Sequence, residues 1–424
     1  MKKSTTITVH HLTRVEGHGD IRIRIKNGRL EEAAWEVVET PRFFEVMLKG
    51  MSHDMAHHLT ARICGICSIG HALTSLRAVE RAMAVRIPET ARRLRLLAKH
   101  GETLQSHALH VFFLTAPDFF EVGSVIPLIK SHPEVVGIAV RLKKLGNDLC
   151  DLVAGRTTHP LRLAVGGMSK FPDKKRLEAL RRTLEERLGD MRAAVDLFKT
   201  LPMPDFIRET EFVSLAGRED YPWIGGDLVS TDGVRRKEDD YLAMTNEYKT
   251  DVGTSKFAKL SRESFAVGAL ARFNNNHKFL RGPARTAAKE LGLAPVCHNP
   301  YFNNAAQLVE CYHVMLESID MIDQLLDDDG ADIRAKYRIR AGRGVAAVEV
   351  PRGILYHEYR FDQKGKVSKA NCIIPTTQNH ANIHNDLKAL VRGLVARKKS
   401  DQDITLMSEM LVRAYDPCIS CSVH

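Results

Sequence analysis

The chain has 424 residues, 44% of them hydrophobic, enough to bury a large core. No run of about 18 apolar residues occurs, which argues against a transmembrane helix, and Met1 to Thr6 leads into Ile7-Thr8-Val9-His10-His11 rather than an apolar stretch, which argues against a signal peptide. The formal charge of +10 is dispersed, with only short clusters such as Arg235-Arg236-Lys237 and Arg397-Lys398-Lys399, so a solvated surface is expected rather than a nucleic-acid footprint; an acidic partner subunit would also fit.

In chain order, residues 5–39 read as β structure. Ile21, Ile23 and Ile25 alternate with Arg22, Arg24 and Lys26, Asn27-Gly28 is a hairpin turn, and Leu30 to Val38 returns as the partner strand. The preceding loop holds Thr13-Arg14-Val15-Glu16-Gly17-His18, where Gly17 and Gly19 would let the chain pass close to another backbone. The doublets His10-His11 and His57-His58 are expected to be exposed.

Cys64-Gly65-Ile66-Cys67 then precedes a helical pattern in which Ile69, Leu73, Leu76, Val79 and Met83 share a face and Pro88 ends the run. Ser68 is the expected N-cap. A cysteine at a helix start has its thiolate favoured by the helix dipole, which suits a metal ligand. Helices are expected over about 89–116, 134–155, 173–199, 238–292, 303–327, 380–397 and 402–414. Loops and short strands are expected over 202–235, around Tyr221-Pro222-Trp223-Ile224-Gly225-Gly226, and strands over 345–375 with Gly365 at a turn. Asp327-Asp328-Asp329-Gly330 lacks the alternating ligands of a calcium loop and reads as a helix exit. With no repeat, linker or composition break, one domain spanning 1–424 is expected. Its fold class is α+β and mainly helical: a compact helical bundle core carrying an N-terminal β-hairpin region (about 5–40) and small peripheral strands.

Eight cysteines in a chain without a secretion signal favour metal over disulfide. Cys64-x-x-Cys67 and Cys418-x-x-Cys421 supply four thiolates, enough for one soft-metal site, but they stand about 350 residues apart, too far for a small zinc ribbon. Four thiolates bind zinc, iron or nickel alike, and spacing alone does not choose. Cys297-His298 with Cys311-x-His313 offers a second zinc arrangement, against free buried cysteines as the ordinary reading. Glu16 alone would be a surface or capping carboxylate, and His71 alone a core histidine. No glycine-rich nucleotide loop and no iron–sulfur cluster motif is present.

The flanking residues carry a resemblance. Arg62-Ile63-Cys64-Gly65-Ile66-Cys67-x-x-x-His71 with Asp416-Pro417-Cys418-x-x-Cys421-x-x-His424 resembles the large subunit of nickel–iron hydrogenases. The segments Thr13 to His18, Val350-Pro351-Arg352-Gly353 and Ile374-Pro375-Thr376-Thr377-Gln378-Asn379 resemble further motifs of that family, in the same order. The Pro375 to Ile383 segment, and Ser106 where an acidic residue is frequent in uptake enzymes, resemble the cytoplasmic multi-subunit group.

The resemblance implies that Cys64 and Cys418 bind nickel terminally and that Cys67 and Cys421 bridge nickel to an iron carrying carbon monoxide and cyanide. It implies Arg352, after Pro351, over the open side of the metals, Thr376 on a cyanide, and His71 behind a bridging sulfur. Glu45, His424 and the backbone carbonyl of Cys372 would hold magnesium. Heterolytic cleavage of dihydrogen needs a hydride acceptor and a base; Cys418 would be the base and Glu16 the first proton carrier, with a pKa raised by burial. The partners implied are a small subunit carrying iron–sulfur clusters, further electron-carrier subunits, a maturation peptidase and nickel-insertion proteins, in the cytoplasm, with no nucleic acid and no membrane span. Ending at His424, the chain resembles the processed form. The rival readings are a dihydrogen sensor on the same site, a quinone-site subunit of the complex I type, which lacks the cysteine pairs, and a zinc-stabilised assembly protein.

Overall fold

The computed structural model describes residues 4–424. The first residues of the stretch read above as lacking a signal peptide, Met1 to Lys3, lie outside them. The described chain is 48% helix and 17% strand, an α+β fold in which helices dominate. Among the described residues no helix is long and apolar enough to cross a membrane.

Strands Ser4–Val9, Gly19–Lys26 and Arg29–Val37 form an antiparallel meander. Ile21, Ile23 and Ile25 are buried while Arg22, Arg24 and Lys26 face solvent, as period-two alternation requires. The Asn27-Gly28 turn has both residues at positive φ, 54° and 71°, which matches the twist of a tight hairpin. Gly17, at φ 85°, lies where a Cβ would come within 2.7 Å of Ile419, so this loop does pass tightly along the C-terminal segment. Gly19 differs from expectation: the close neighbour is the Trp35 ring, not another backbone.

Helices Glu89–Ala108, Pro133–Ala154, Lys174–Phe198 and Asn303–Leu326 pack together as the helical body. The Ser68–Met83 helix leaves this body to lie against an antiparallel sheet of Gly342–Val350, Gly353–Phe361 and Val367–Ile373. Its first two strands are buried on both faces over most of their length, while Ser368 and Lys369 on the third face solvent. Ala346, Val348 and Val350 enter the main core, while Val345 and Ala347 enter a second, smaller one with Val213, Leu215 and Tyr356. Double burial explains the continuous apolar run from Val345 to Val348. Helices Pro375–Ala396 and Asp401–Ala414 close the fold, the latter opened by a capping box between Ser400 and Asp403.

Four further expectations are corrected. Ser68 is the first helical residue and Cys67 the cap; the Ser68 hydroxyl instead accepts from the His159 N–H at 2.9 Å. The stretch 238–292 is not one helical region: its regular helices are Leu242–Thr245, Ala269–Asn276 and Gly282–Glu290, and 246–264 runs irregularly, tied down by contacts such as Ser261 and Arg262 N–H to Glu211. Within 89–116, residues Leu109–Thr115 form a π-helical turn. His57 is buried, its ring 3.9 Å from that of its half-buried neighbour His58.

Candidate metal centre

The two cysteine pairs meet. The Sγ atoms of Cys64, Cys67, Cys418 and Cys421 all lie within 4.8 Å of one another, and all four residues are buried. Cys64 stands 3.5 Å from Cys418, and Cys67 stands 3.9 Å from Cys421. Each residue of the N-terminal pair thus faces one of the C-terminal pair. None is in a disulfide.

Local structure sets this up. Cys67 caps the Ser68–Met83 helix, at its positive end. The N–H groups of Ile66 and Cys67 turn back to the Cys64 sulfur at 3.3 and 3.4 Å. On the other side, the Cys418 N–H donates to Thr376 Oγ1 at 3.1 Å, which anchors the C-terminal pair to the start of the Pro375–Ala396 helix. Arg42 donates through Nη2 to the carbonyls of Ile63 and Ser420, one from each cysteine loop. Its backbone N–H donates to the Val423 carbonyl at 2.7 Å.

Contacts from Cys418 and its neighbours draw the Cys64 thiol well below its ordinary range, while burial pushes Cys418 and Cys421 well above it. Four buried thiols of such unequal acidity cannot all ionise together unless a cation compensates them. The donor set therefore fits soft metal ions. Arg352 is buried beside the thiols; desolvation would lower its pKa, but Asp416 and the thiols more than offset this and hold it protonated. Its Nη2 donates to Asp416 at 2.8 Å and its Nη1 to Ser106 Oγ at 3.4 Å. His71 Nε2 sits 4.0 Å from Cys421 Sγ, and burial pushes its ring down to about 4, so it is neutral.

Glu16 lies along the C-terminal loop. Its carbonyl accepts from Ile419 N–H at 2.9 Å, and its carboxylate accepts from the Ser420 N–H at 3.0 Å and from the Ser420 hydroxyl. It is half-buried. A further group forms beyond the thiols: Glu45 Oε1 accepts from the Cys372 N–H at 2.7 Å, His424 Nε2 is 2.8 Å from the Cys372 carbonyl and 3.8 Å from Glu45 Oε1. Burial raises the Glu45 pKa, but His424 and the Cys372 N–H outweigh it and leave the carboxyl below its ordinary value. The group brings together one carboxylate, one backbone carbonyl and one imidazole, donor types that a hard cation accepts.

Pro351 takes its place through a contact that sequence reasoning missed. Arg272, fully buried, donates to Glu310, to Glu349 and to the carbonyls of Val350 and Pro351. It fixes the backbone immediately before Arg352. Asp416 was also passed over, although its position two residues before Cys418 was the available signal. Cys297, His298, Cys311 and His313 do not converge: His298 Nδ1 accepts from the Thr210 N–H, and His313 Nδ1 from the Arg281 N–H.

Known proteins agree with this geometry. Residues 42–134 and 238–424 match the profile of the nickel-dependent hydrogenases, and residues 6–40 a HoxL-like profile. The alpha subunit of sulfhydrogenase 2 of Pyrococcus furiosus is 32% identical over 99% of this chain and 98% of its own length. The alpha subunit of sulfhydrogenase 1 from the same organism is 32% identical over 99% and 97%. Among solved structures, an NAD+-reducing nickel–iron hydrogenase in the H2-reduced state superposes with a TM-score of 0.91, at 26% identity and 99% coverage of both chains. The nickel–iron–selenium hydrogenase of Dm. baculatum shares the fold at a TM-score of 0.81 and 20% identity, over 100% of both chains. With a four-thiol centre closed between its two ends, this chain belongs to the nickel-dependent hydrogenases and is a catalytic subunit of the nickel–iron type.

Proposed function

We propose that the protein interconverts dihydrogen with protons and electrons as the large subunit of a cytoplasmic, multi-subunit enzyme, with the whole chain 1–424 acting as one domain. The convergence of four buried thiols from both ends of the chain, beside Arg352, carries this reading. Cys64 and Cys418 would hold nickel terminally, and Cys67 and Cys421 would bridge it to an iron bearing carbon monoxide and cyanide. When bound, that centre supplies the acceptor for the electron pair of dihydrogen. Cys418 takes the proton as a thiolate. Arg352, kept charged by Asp416, cannot serve easily as a base; it fixes the charge beside the thiols and excludes water. Thr376, whose Oγ1 accepts from the Cys418 N–H, orients the loop and would donate its hydroxyl to a cyanide. His71 supports the Cys421 sulfur from behind.

The proton leaves through Glu16, whose backbone runs parallel beside Cys418 and whose carboxylate is half-buried. Glu39, which accepts from the His18 N–H at 3.0 Å and lies 2.9 Å from where a Cβ on Gly17 would stand, is the candidate next carboxylate on the way to the surface. Glu45, His424 and the Cys372 carbonyl would hold magnesium and so pin the end of the chain. Electrons pass to a small subunit carrying iron–sulfur clusters and on to further carrier subunits. The exposed Gly65 between Cys64 and Cys67 supports a partner approaching from that side. Assembly then calls for nickel-insertion proteins and a maturation peptidase.

Infrared spectroscopy of the purified protein, paired with dihydrogen-dependent dye reduction, tests the reading. Stretching bands of carbon monoxide and cyanide on iron, with dye turnover, are expected. Zinc in place of nickel and iron, with no such bands, would overturn it.

A further inference from the structure

A second site lies away from the thiols. The segment from Tyr221 to Gly226 walls a cleft of about 400 Å³ against the C-terminal half of the Ser68–Met83 helix and the start of the Glu89–Ala108 helix. A cleft of this size suits a small organic ligand. Arg77 lies ten residues beyond Cys67 on one helix, about 15 Å along its axis, so the cleft is not part of the metal centre.

Two features describe what the cleft would take. Its lining carries five arginines, at 77, 81, 92, 95 and 218, against two carboxylates, Glu80 and Asp220. Glu80 is already committed: it accepts from both Nη atoms of Arg95 and from the Gly166 N–H. Glu238 likewise neutralises Arg77 and Arg81 from behind the wall. Arg218 and Arg92 are both exposed at the cleft edge; Arg218 has no ion pair among the described residues, while Arg92 pairs with exposed Glu89, a contact of little strength, and feels the Asp220 carboxylate beyond ion-pair distance. Donors are in excess even in the buried layer, where the Nε–H groups of Arg77 and Arg95 and the Trp223 indole N–H find no acceptor. The second feature is apolar. Leu73, Val85, Ile87, Leu96, Pro222 and Ile224 line the same space.

The wall is shaped for this. Gly225, at φ 71°, passes so close to Arg77 that a Cβ would stand 2.2 Å from its guanidinium. The positive φ favours glycine here, and a larger residue would push the Arg77 guanidinium from the cleft edge.

From this geometry we propose that the cleft binds a phosphorylated small molecule of about mononucleotide size, its phosphate between Arg92 and Arg218 and its body against Leu73, Val85 and Ile224. A phosphate, with three acceptor oxygens, can bridge guanidinia from two separate segments, whereas a carboxylate fills a single fork. The apolar walls take a flat ring system, which bare phosphate lacks.

Calorimetric titration of the intact metal-loaded protein with adenosine monophosphate tests this. One saturable site per chain is expected, with adenosine and inorganic phosphate each weaker by at least about tenfold. Arg218→Ala and Arg92→Ala should each weaken binding by about fivefold or more and flatten its salt dependence, while dihydrogen-dependent dye reduction stays unchanged. Absence of saturable binding, affinity untouched in both variants, or inorganic phosphate binding as tightly as the nucleotide would each overturn the proposal.

Discussion

Glu16 and Ser420 stand 404 positions apart in the chain, and the N–H of the second donates to the carboxylate of the first at 3.0 Å. The side chain assigned to proton transfer is therefore also a clamp on the loop between Cys418 and Cys421. Glu16→Gln separates the two roles, because an amide oxygen still accepts from Ser420 but the group cannot carry a proton. Nickel and iron content should be unchanged, and hydrogen–deuterium exchange should fall on the order of 10²- to 10⁴-fold. Exchange at the wild-type rate would remove Glu16 from the path.

Cys421 faces Cys67 at 3.9 Å and has His71 behind it. Cys421→Ser replaces a soft sulfur by a hard oxygen at the position proposed to bridge two metals. Elemental analysis should find at least one of nickel and iron lost, with turnover down by about 100-fold or more. A variant that keeps both metals and full turnover contradicts the bridging role.

The Glu45, His424 and Cys372 group makes a separate prediction. Glu45→Gln keeps an acceptor for the Cys372 N–H but removes the charge a hard cation requires. Magnesium should fall from about one per chain to none, with activity reduced on the order of tenfold. Magnesium retained in full would refute the assignment.

Acid stability follows from buried histidines. Burial pushes His57 and His380 down to about 3 and His107 to about 4. The unfolded chain takes up these protons near pH 6.5 while the folded chain refuses them until about pH 4 or below. Stability from this source is therefore complete above about pH 6.5 and is lost as pH falls toward 4. The slope is up to about 1.4 kcal/mol per pH unit for each histidine. Urea midpoints measured from pH 7.5 to 5 should fall steadily, and His380→Gln should make the fall shallower. Constant midpoints across that range would contradict it.

The site was more legible than its supports. Cys64, Cys67, Cys418 and Cys421 announce themselves because soft-metal chemistry needs thiols in pairs, and the hairpin around Asn27-Gly28 because twist demands positive φ there. The Leu109–Thr115 π turn left no such mark, since its one extra residue per turn changes hydrogen bonding and not composition. The irregular path of 246–264 was hidden for the opposite reason: its order comes from distant partners such as Glu211, which local periodicity cannot register. Burial of Arg272 with Glu310 and Glu349 was equally invisible, because charged residues are expected at the surface unless paired, and the pairing partners lie 38 and 77 positions away. His57 misled in the same manner, as a doublet with His58 reads polar whatever the fold does with it.

Cys64 and Cys418 touch although 354 positions separate them. A ribosome adding about 5–20 residues each second emits the second pair roughly 20–70 s after the first. Throughout that interval a growing chain can offer only half of the four-thiol set, so the complete set exists only once Cys421 has left the ribosome.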